Sequence, residues 1–165
     1  MTHMQTMTWN ADGELEVLAF GLGGETFAIE AALVQEILDL LPETAVPGAD
    51  PLVSHVINFR GRVIPLANLR PAFGMEQAAD TRDSRIVVIE LATGEGVELI
   101  GLRADKVNEV TTLAATACEA PPAIGMRWPR DHVRGLVRHG ESLVVVPDLH
   151  MIFDTPADRP AAPLN

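Results

Sequence analysis

Two stretches of this chain lie over one another without a gap: Phe27-Ala28-Ile29-Glu30-Ala31-Ala32-Leu33-Val34-Gln35-Glu36-Ile37 over Ile100-Gly101-Leu102-Arg103-Ala104-Asp105-Lys106-Val107-Asn108-Glu109-Val110. Ala31 falls on Ala104, Val34 on Val107, Glu36 on Glu109 and Ile37 on Val110. Further on, 57–73 lies over 136–153 with a one-residue slip, which sets Gly61 on Gly140, Asn68-Leu69 on Asp148-Leu149 and Phe73 on Phe153. The features keep one order in both halves, so the chain reads as a duplication of one unit, and two copies are too few for a stacked solenoid. A unit of about 60 residues buries only a modest core. Each copy must therefore lean on the other, which leaves a seam between them.

The unit is built of short apolar runs separated by turns. Glu14 to Leu22 and Thr26 to Ile29 flank Gly23-Gly24-Glu25, and RIVVIEL (85–91) and 97–102 flank Thr93 to Gly96, so each pair predicts a hairpin. Val53 to Phe59 and Arg62 to Leu66 are separated only by Arg60-Gly61. A two-residue loop needs positive φ, which glycine adopts without a Cβ clash. The equivalent hairpin closes around His139-Gly140, making Gly61 and Gly140 the structural turn residues. Single helical turns are expected at 31–33, 69–74 and 148–153, whereas Val34 to Leu38 reads equally as helix or strand. Leu41 to Pro51, with three prolines, and Thr111 to Arg130, anchored by Trp128, read as surface loops. Residues 75–84 read as the linker between a first half at 14–75 and a second at 84–153, and residues 1–13 and 154–165 as disordered ends. Short strands at close spacing predict an all-β fold with a small closed barrel in each half.

The chain has 165 residues and is 47% apolar, enough to fill a core, but only 4% aromatic with no tyrosine, so that core is expected to be Val, Leu, Ile and Ala. A net charge of −11 excludes phosphate-backbone and anionic-membrane partners, which need clustered Lys and Arg. Cys118 is alone and can form no internal disulfide. With no apolar run of about 18 residues and no signal-peptide pattern, a cytoplasmic protein is expected. The histidines at 3, 55, 132, 139 and 150 stand at no metal-ligand spacing. GLGG (21–24) and GEG (94–96) have no following helix to receive a phosphate and read as hairpin turns. No nucleophile elbow occurs. The reading is a non-enzyme without cofactor or metal.

What remains is a set of side chains placed for contact. Arg60 is expected at the tip of a stiff hairpin with few neighbours to neutralise it, and a fixed guanidinium is a good docking point. Its counterpart in the second copy is read as His139, a charge in one copy only. Glu36 and Glu109 recur, which suits a structural role and a surface role equally.

The stretch INFRGRVIPLANLR (57–70) resembles the signature of the CheW family of bacterial chemotaxis coupling proteins. LEVLAFGLGGETFAIEAALVQEIL, RIVVIEL, GLRADKVNEV and GLVRHGESLVVVPDLHMIF extend the similarity over Leu15 to Phe153. The resemblance implies two five-stranded SH3-like barrels around a shared core. It also implies an adaptor holding the regulatory domain of a CheA-type histidine kinase against the cytoplasmic tip of a chemoreceptor (methyl-accepting protein), within membrane-attached arrays. The receptor then lies in a groove between the barrels, and receptor coupling falls on Arg60, Val34 and Glu36. An apolar seam of Val34, Ile37 and Val107, with Arg60 and Glu36 as rim charges, is the expected receptor site. Three residues depart from the family pattern near that region: His55 for glycine, Asn68 for aspartate and Arg103 for an apolar residue. They bear on partner choice and keep open a scaffold for another sensory-kinase array; a small-molecule-binding β module, using a barrel mouth or the seam, is the separate alternative.

Overall fold

The computed structural model describes residues 7–119 and 130–153. In chain order the strands are β1 (Glu14–Leu22), β2 (Glu25–Glu30), β3 (Val34–Leu38), β4 (Thr44–Ala45), β5 (His55–Phe59) and β6 (Arg62–Ala67). They continue with β7 (Arg85–Thr93), β8 (Gly96–Ala104), β9 (Lys106–Ala114), β10 (Cys118–Glu119), β11 (Val133–His139) and β12 (Ser142–Pro147), before the short helix α1 (Leu149–Phe153). Val34–Leu38, which periodicity leaves undecided, is a strand, entered through a 3-10 turn at Ala31–Leu33.

The strands form two six-stranded sheets, β10-β11-β12-β2-β1-β9 and β4-β5-β6-β8-β7-β3. Adding six to each strand number of the β7 sheet, or subtracting six where needed, returns the β1 sheet in the same order. The duplication is therefore present, but the contiguous halves are not the barrels. Each sheet takes the hairpin of one copy (β1-β2 or β7-β8) and the last four strands of the other. The expected division into a barrel at 14–75 and a barrel at 84–153 is thus corrected. The physical reason is the corner after the hairpin: Ala31–Leu33 in one copy and Asp105 in the other redirect the chain out of its own sheet, and Asp105 N–H donates to Gly21 O at 2.8 Å.

In each sheet five strands of five or more residues carry the wall and one two-residue strand ends it. Each wall curls until strands near its two ends meet: Glu36 of β3 pairs with Arg60 at the β5-β6 turn, and Thr111 of β9 bonds His139 of β11. Both hairpin strands are apolar on both faces because both faces are buried. From β1, Leu18, Phe20 and Leu22 face a core shared with Val87, Ile89 and Leu91 of β7. Val17 points instead into the β1 barrel and Ile86 and Val88 into the β7 barrel.

The shared core is more aromatic than composition implies. Phe20, Phe27 and Phe73 are among its largest fully buried side chains, Phe27 lying edge-on to Phe73 at 4.9 Å. A low count limits how many aromatics exist, not where they go, and each fully buried one contributes about 1.5–3 kcal/mol. The N-terminal lead is also corrected for residues 7–13: Met7 is buried with Trp9 against the β1-barrel core, and Asn10 Oδ1 accepts from Asp12 and Glu14 N–H. Thr111 to Ala114 belongs to β9 rather than to a loop, because Leu15 and Leu113 pair across β1 and β9. Trp128, most of the rest of that loop, residues 1–6 and the tail at 154–165 lie outside the described residues.

Candidate functional site: a groove between two free strand edges

β3 and β9 are equivalent strands, and each is the last of its sheet, bonded on one side only. Each also carries a bulge at the same place. Val34 pairs Ile89 and Glu36 pairs Val88, leaving Gln35 unpaired; Val107 pairs Phe20 and Glu109 pairs Ala19, leaving Asn108 unpaired. A bulge reverses which side chains face in. Val34 and Val107 therefore lie partly buried on the shared core, while Ile37 and its equivalent Val110 remain 42% and 56% exposed.

Ile37 and Val107 meet in one shallow groove of ≈ 350 Å³, lined also by Asp83, Arg85, Lys106 and Asn108. Val34 does not line this groove but supports it from the shared core. Beside β3 the hairpin tip brings Arg60 and Glu36 together: Arg60 Nη2 and Glu36 Oε1 form an ion pair. The guanidinium also lies 5.1 Å from the centre of the Phe59 ring. Arg60 is thus not the unneutralised charge expected from sequence, because its partner stands 24 residues earlier on a strand that only the closed barrel brings near. The side chain is still 71% exposed, so the pair is an accessible, oriented dipole at the surface.

The turn itself is unusual. Arg60 has φ 53°, the only positive φ of a non-glycine residue among the described residues, followed by Gly61 at 84°. Asn58 Oδ1 fixes the turn by accepting Gly61 N–H at 2.9 Å. In the other barrel His139 pairs Ser142 as Phe59 pairs Arg62, so the two hairpins superpose with no slip and the turn is Gly140-Glu141. The sequence pairing of Gly61 with Gly140, and of Arg60 with His139, is corrected accordingly: Arg60 faces Gly140, and His139 faces Phe59. Apolar matches at Ile57 and Leu136 favour the wrong register because both Leu136 and Val137 of β11 are buried.

His55, Asn68 and Arg103, the three departures, are brought together, but not in the groove. They line a polar pocket of ≈ 330 Å³ at the end of β5 away from Arg60. There Arg103 pairs with Glu43 and with Asp80 Oδ1 (2.6 Å), and Asn68 Nδ2 donates to Gln77 at 3.0 Å. The Arg103–Asp80 and Asn68–Gln77 bonds sew the linker segment to the barrel, which accounts for Arg103 and Asn68 structurally, while His55 Nδ1 lies 2.9 Å from Ser54 Oγ in the same pocket.

One constellation has no counterpart in the sequence reading. Arg70, 5% exposed, donates through both terminal nitrogens to Asp105 (2.9 and 2.8 Å) and through Nε to Glu76 O. Asp105 also accepts Gly23 N–H at 2.8 Å. Burial pushes the Asp105 carboxyl up, but the hydrogen bonds from Arg70 and Gly23 and the guanidinium charge outweigh it and hold the group below the usual carboxylate range. The pair ties the end of the β5-β6 hairpin to the corner between β8 and β9. Its signal was the Asn-Leu-Arg ending of the central stretch, together with an aspartate in only one repeat.

The family model described as CheW-like domain matches residues 16–157. The "Probable chemotaxis protein CheW" of Rhizobium etli is 28% identical over 141 residues, 86% of this chain and 88% of that protein. The "Chemotaxis protein CheW" of Klebsiella aerogenes is 29% identical, over 85% of this chain and 82% of that protein. The crystal structure of scaffolding protein TtCheW from Thermoanaerobacter tengcongensis has a TM-score of 0.75 and 24% identity, covering 92% of this chain and 99% of that one. That likeness is one of fold.

Proposed function

This chain belongs to the CheW-like domain family, and from that premise we propose that it is a non-enzymatic adaptor of chemotaxis signal transduction. It couples the cytoplasmic tip of a chemoreceptor to the regulatory domain of a CheA-type histidine kinase. The observation that carries the reading is the meeting of Ile37 and Val107 in one groove between two strand edges, with the Arg60–Glu36 pair beside it. A receptor helix hairpin presents an apolar stripe of the kind such a groove accepts, and flanking charges set its register. The kinase domain meets a different surface of one barrel. Association with a membrane-attached array runs through the receptor; among the described residues no helix is long and apolar enough to cross a membrane.

Calorimetry tests this with two ligands, the receptor's cytoplasmic tip and the kinase regulatory domain. The wild-type chain binds both. Arg60→Ala, which leaves the ladder intact, weakens receptor binding by about tenfold, a loss of about 1.4 kcal/mol, and leaves kinase binding unchanged. Equal receptor binding by the variant removes Arg60 from the site, and failure to bind either ligand removes the adaptor reading.

A further inference from the structure

The pseudo-equivalence of the barrels exposes a second difference, away from the groove. The β1 barrel contains a pocket of ≈ 120 Å³ whose apolar walls are Val17, Ala19, Ala28, Leu113 and Val144. All five are buried. Its mouth is polar, with Thr26, Asn108, Glu109, Thr111, His139 and Ser142, and Thr111 Oγ1 lies 3.3 Å from His139 Nε2. The opposite end of the barrel is closed: Met7 and Trp9 pack into the same core, and Met7 Sδ lies against Gly135, four residues before His139 on β11.

The β7 barrel has the same strands in the same register and is filled at this place. The ladders set Ala19 against Val88, Thr26 against Leu99 and Thr111 against Leu38. They also set Val144 against Ile64 and His139 against Phe59. Every one of these five is larger and apolar in the β7 barrel. Packing there is so complete that a Cβ at Gly101, the equivalent of Ala28, would stand 3.0 Å from Ile86 Cγ2. The fold therefore does not require the pocket; the choice of side chains opens it.

We propose that the mouth of the β1 barrel is a binding site for a small ligand with a compact apolar body and a hydrogen-bond-donating head, of the class of short branched alcohols and amines. The size follows from the volume: an apolar cavity of about 150 Å³ holds benzene, so this one takes a body of about five or six heavy atoms. The walls offer the body no polar partner, and the mouth offers the head a carboxylate, an imidazole, an amide and the three hydroxyls of Thr26, Thr111 and Ser142. An anionic head is disfavoured by the Glu109 carboxylate beside it and by the net charge of −11.

Methyl-selective NMR of the full chain, titrated with isoamyl alcohol, isoamylamine and isovalerate, tests the site. The alcohol and the amine shift the Ala19 and Ala28 methyls saturably and leave the Ile37 methyl unmoved, while isovalerate binds about tenfold more weakly or not at all. The double variant Ala19→Val/His139→Phe copies the β7 barrel and abolishes the shifts. Thr26→Leu, a single change at the mouth, weakens binding by about tenfold and serves if the double variant does not fold. The absence of saturable shifts in the wild-type chain, or undiminished binding in the filled or narrowed variants, overturns the proposal.

Discussion

The two barrels share one strand order and one register, down to the bulges at Gln35 and Asn108, yet equivalent places differ in residue or, for Phe73 and Phe153, in burial. The β7 barrel and its following turn carry Phe59, Arg60, Arg70 and Phe73; the β1 barrel and its following helix carry His139, Gly140, His150 and Phe153. The backbone accepts either set. What the difference teaches is a division of labour: one copy holds the shared core together and presents an oriented cation beside the groove, and the other carries no cation at that turn and is left open at its mouth. Each equivalent pair can be altered on both sides, so the comparison supplies its own control.

The largest expected asymmetry is in the core. Phe73 is 2% exposed between Phe27 and His132, whereas Phe153 is only partly buried at the rim of the shared core. Phe73→Ala is expected to cost about 3–5 kcal/mol of unfolding free energy and Phe153→Ala about 1–2 kcal/mol, measured by urea denaturation. Equal losses would mean that the two copies contribute alike to the shared core and would end the division argued above.

The second asymmetry is ionic. Arg70 makes three charge-assisted or carbonyl bonds from a buried position, while its equivalent His150 makes one, from Nε2–H to Ala92 O at 2.9 Å, at the surface. Arg70→Ala is expected to cost about 2–3 kcal/mol and His150→Ala about 0.5–1 kcal/mol. Because the folded-state pKa of Asp105 is depressed, its contribution is fully present above the unfolded value of about 3.9 and is lost as pH falls through the lower folded value. Asp105→Asn should therefore flatten the acid limb of stability against pH, and an unchanged limb would show that Asp105 gains nothing from Arg70.

Sequence carried the strands, the repeat and the apolar faces, because these depend on local pattern: RIVVIEL is a strand buried on both sides wherever it goes. It did not carry the exchange between copies. Nothing in Glu25–Glu30 says whether the next strand stays or leaves, and the three residues of the Ala31–Leu33 turn decide it. The candidate site was half legible for the same reason. Glu36, Ile37, Arg60 and Val107 are recognisable one by one, but the Arg60–Glu36 pair and the Ile37–Val107 groove exist only once the barrels close. Asp105 and Arg70 each carried a signal of their own, but their pairing across 35 residues was out of reach of any local rule.

The smallest expected effect on stability is the one that separates stability from binding. Arg60 at φ 53° holds a left-handed backbone that costs an L side chain about 1–2 kcal/mol, and its equivalent Gly140 holds φ 64°. Arg60→Gly relieves that strain but adds the backbone entropy of glycine, about 0.5–1 kcal/mol, and removes a surface ion pair worth at most about 1 kcal/mol. These terms nearly cancel, so the variant should unfold within about 1 kcal/mol of wild type. If the strained arginine is kept for contact, receptor binding should nevertheless fall by about tenfold, as for Arg60→Ala. The reverse change, Gly140→Arg, places a guanidinium at the same turn position of the other barrel, beside the closed-barrel contact of Thr111 with His139, and should leave receptor binding unaltered. A gain in binding from that change would make the two barrel tips interchangeable. A stability rise with no loss of binding in Arg60→Gly would leave the strain without a function and move the register-setting charge to Glu36 or to Lys106 and Arg85 in the groove.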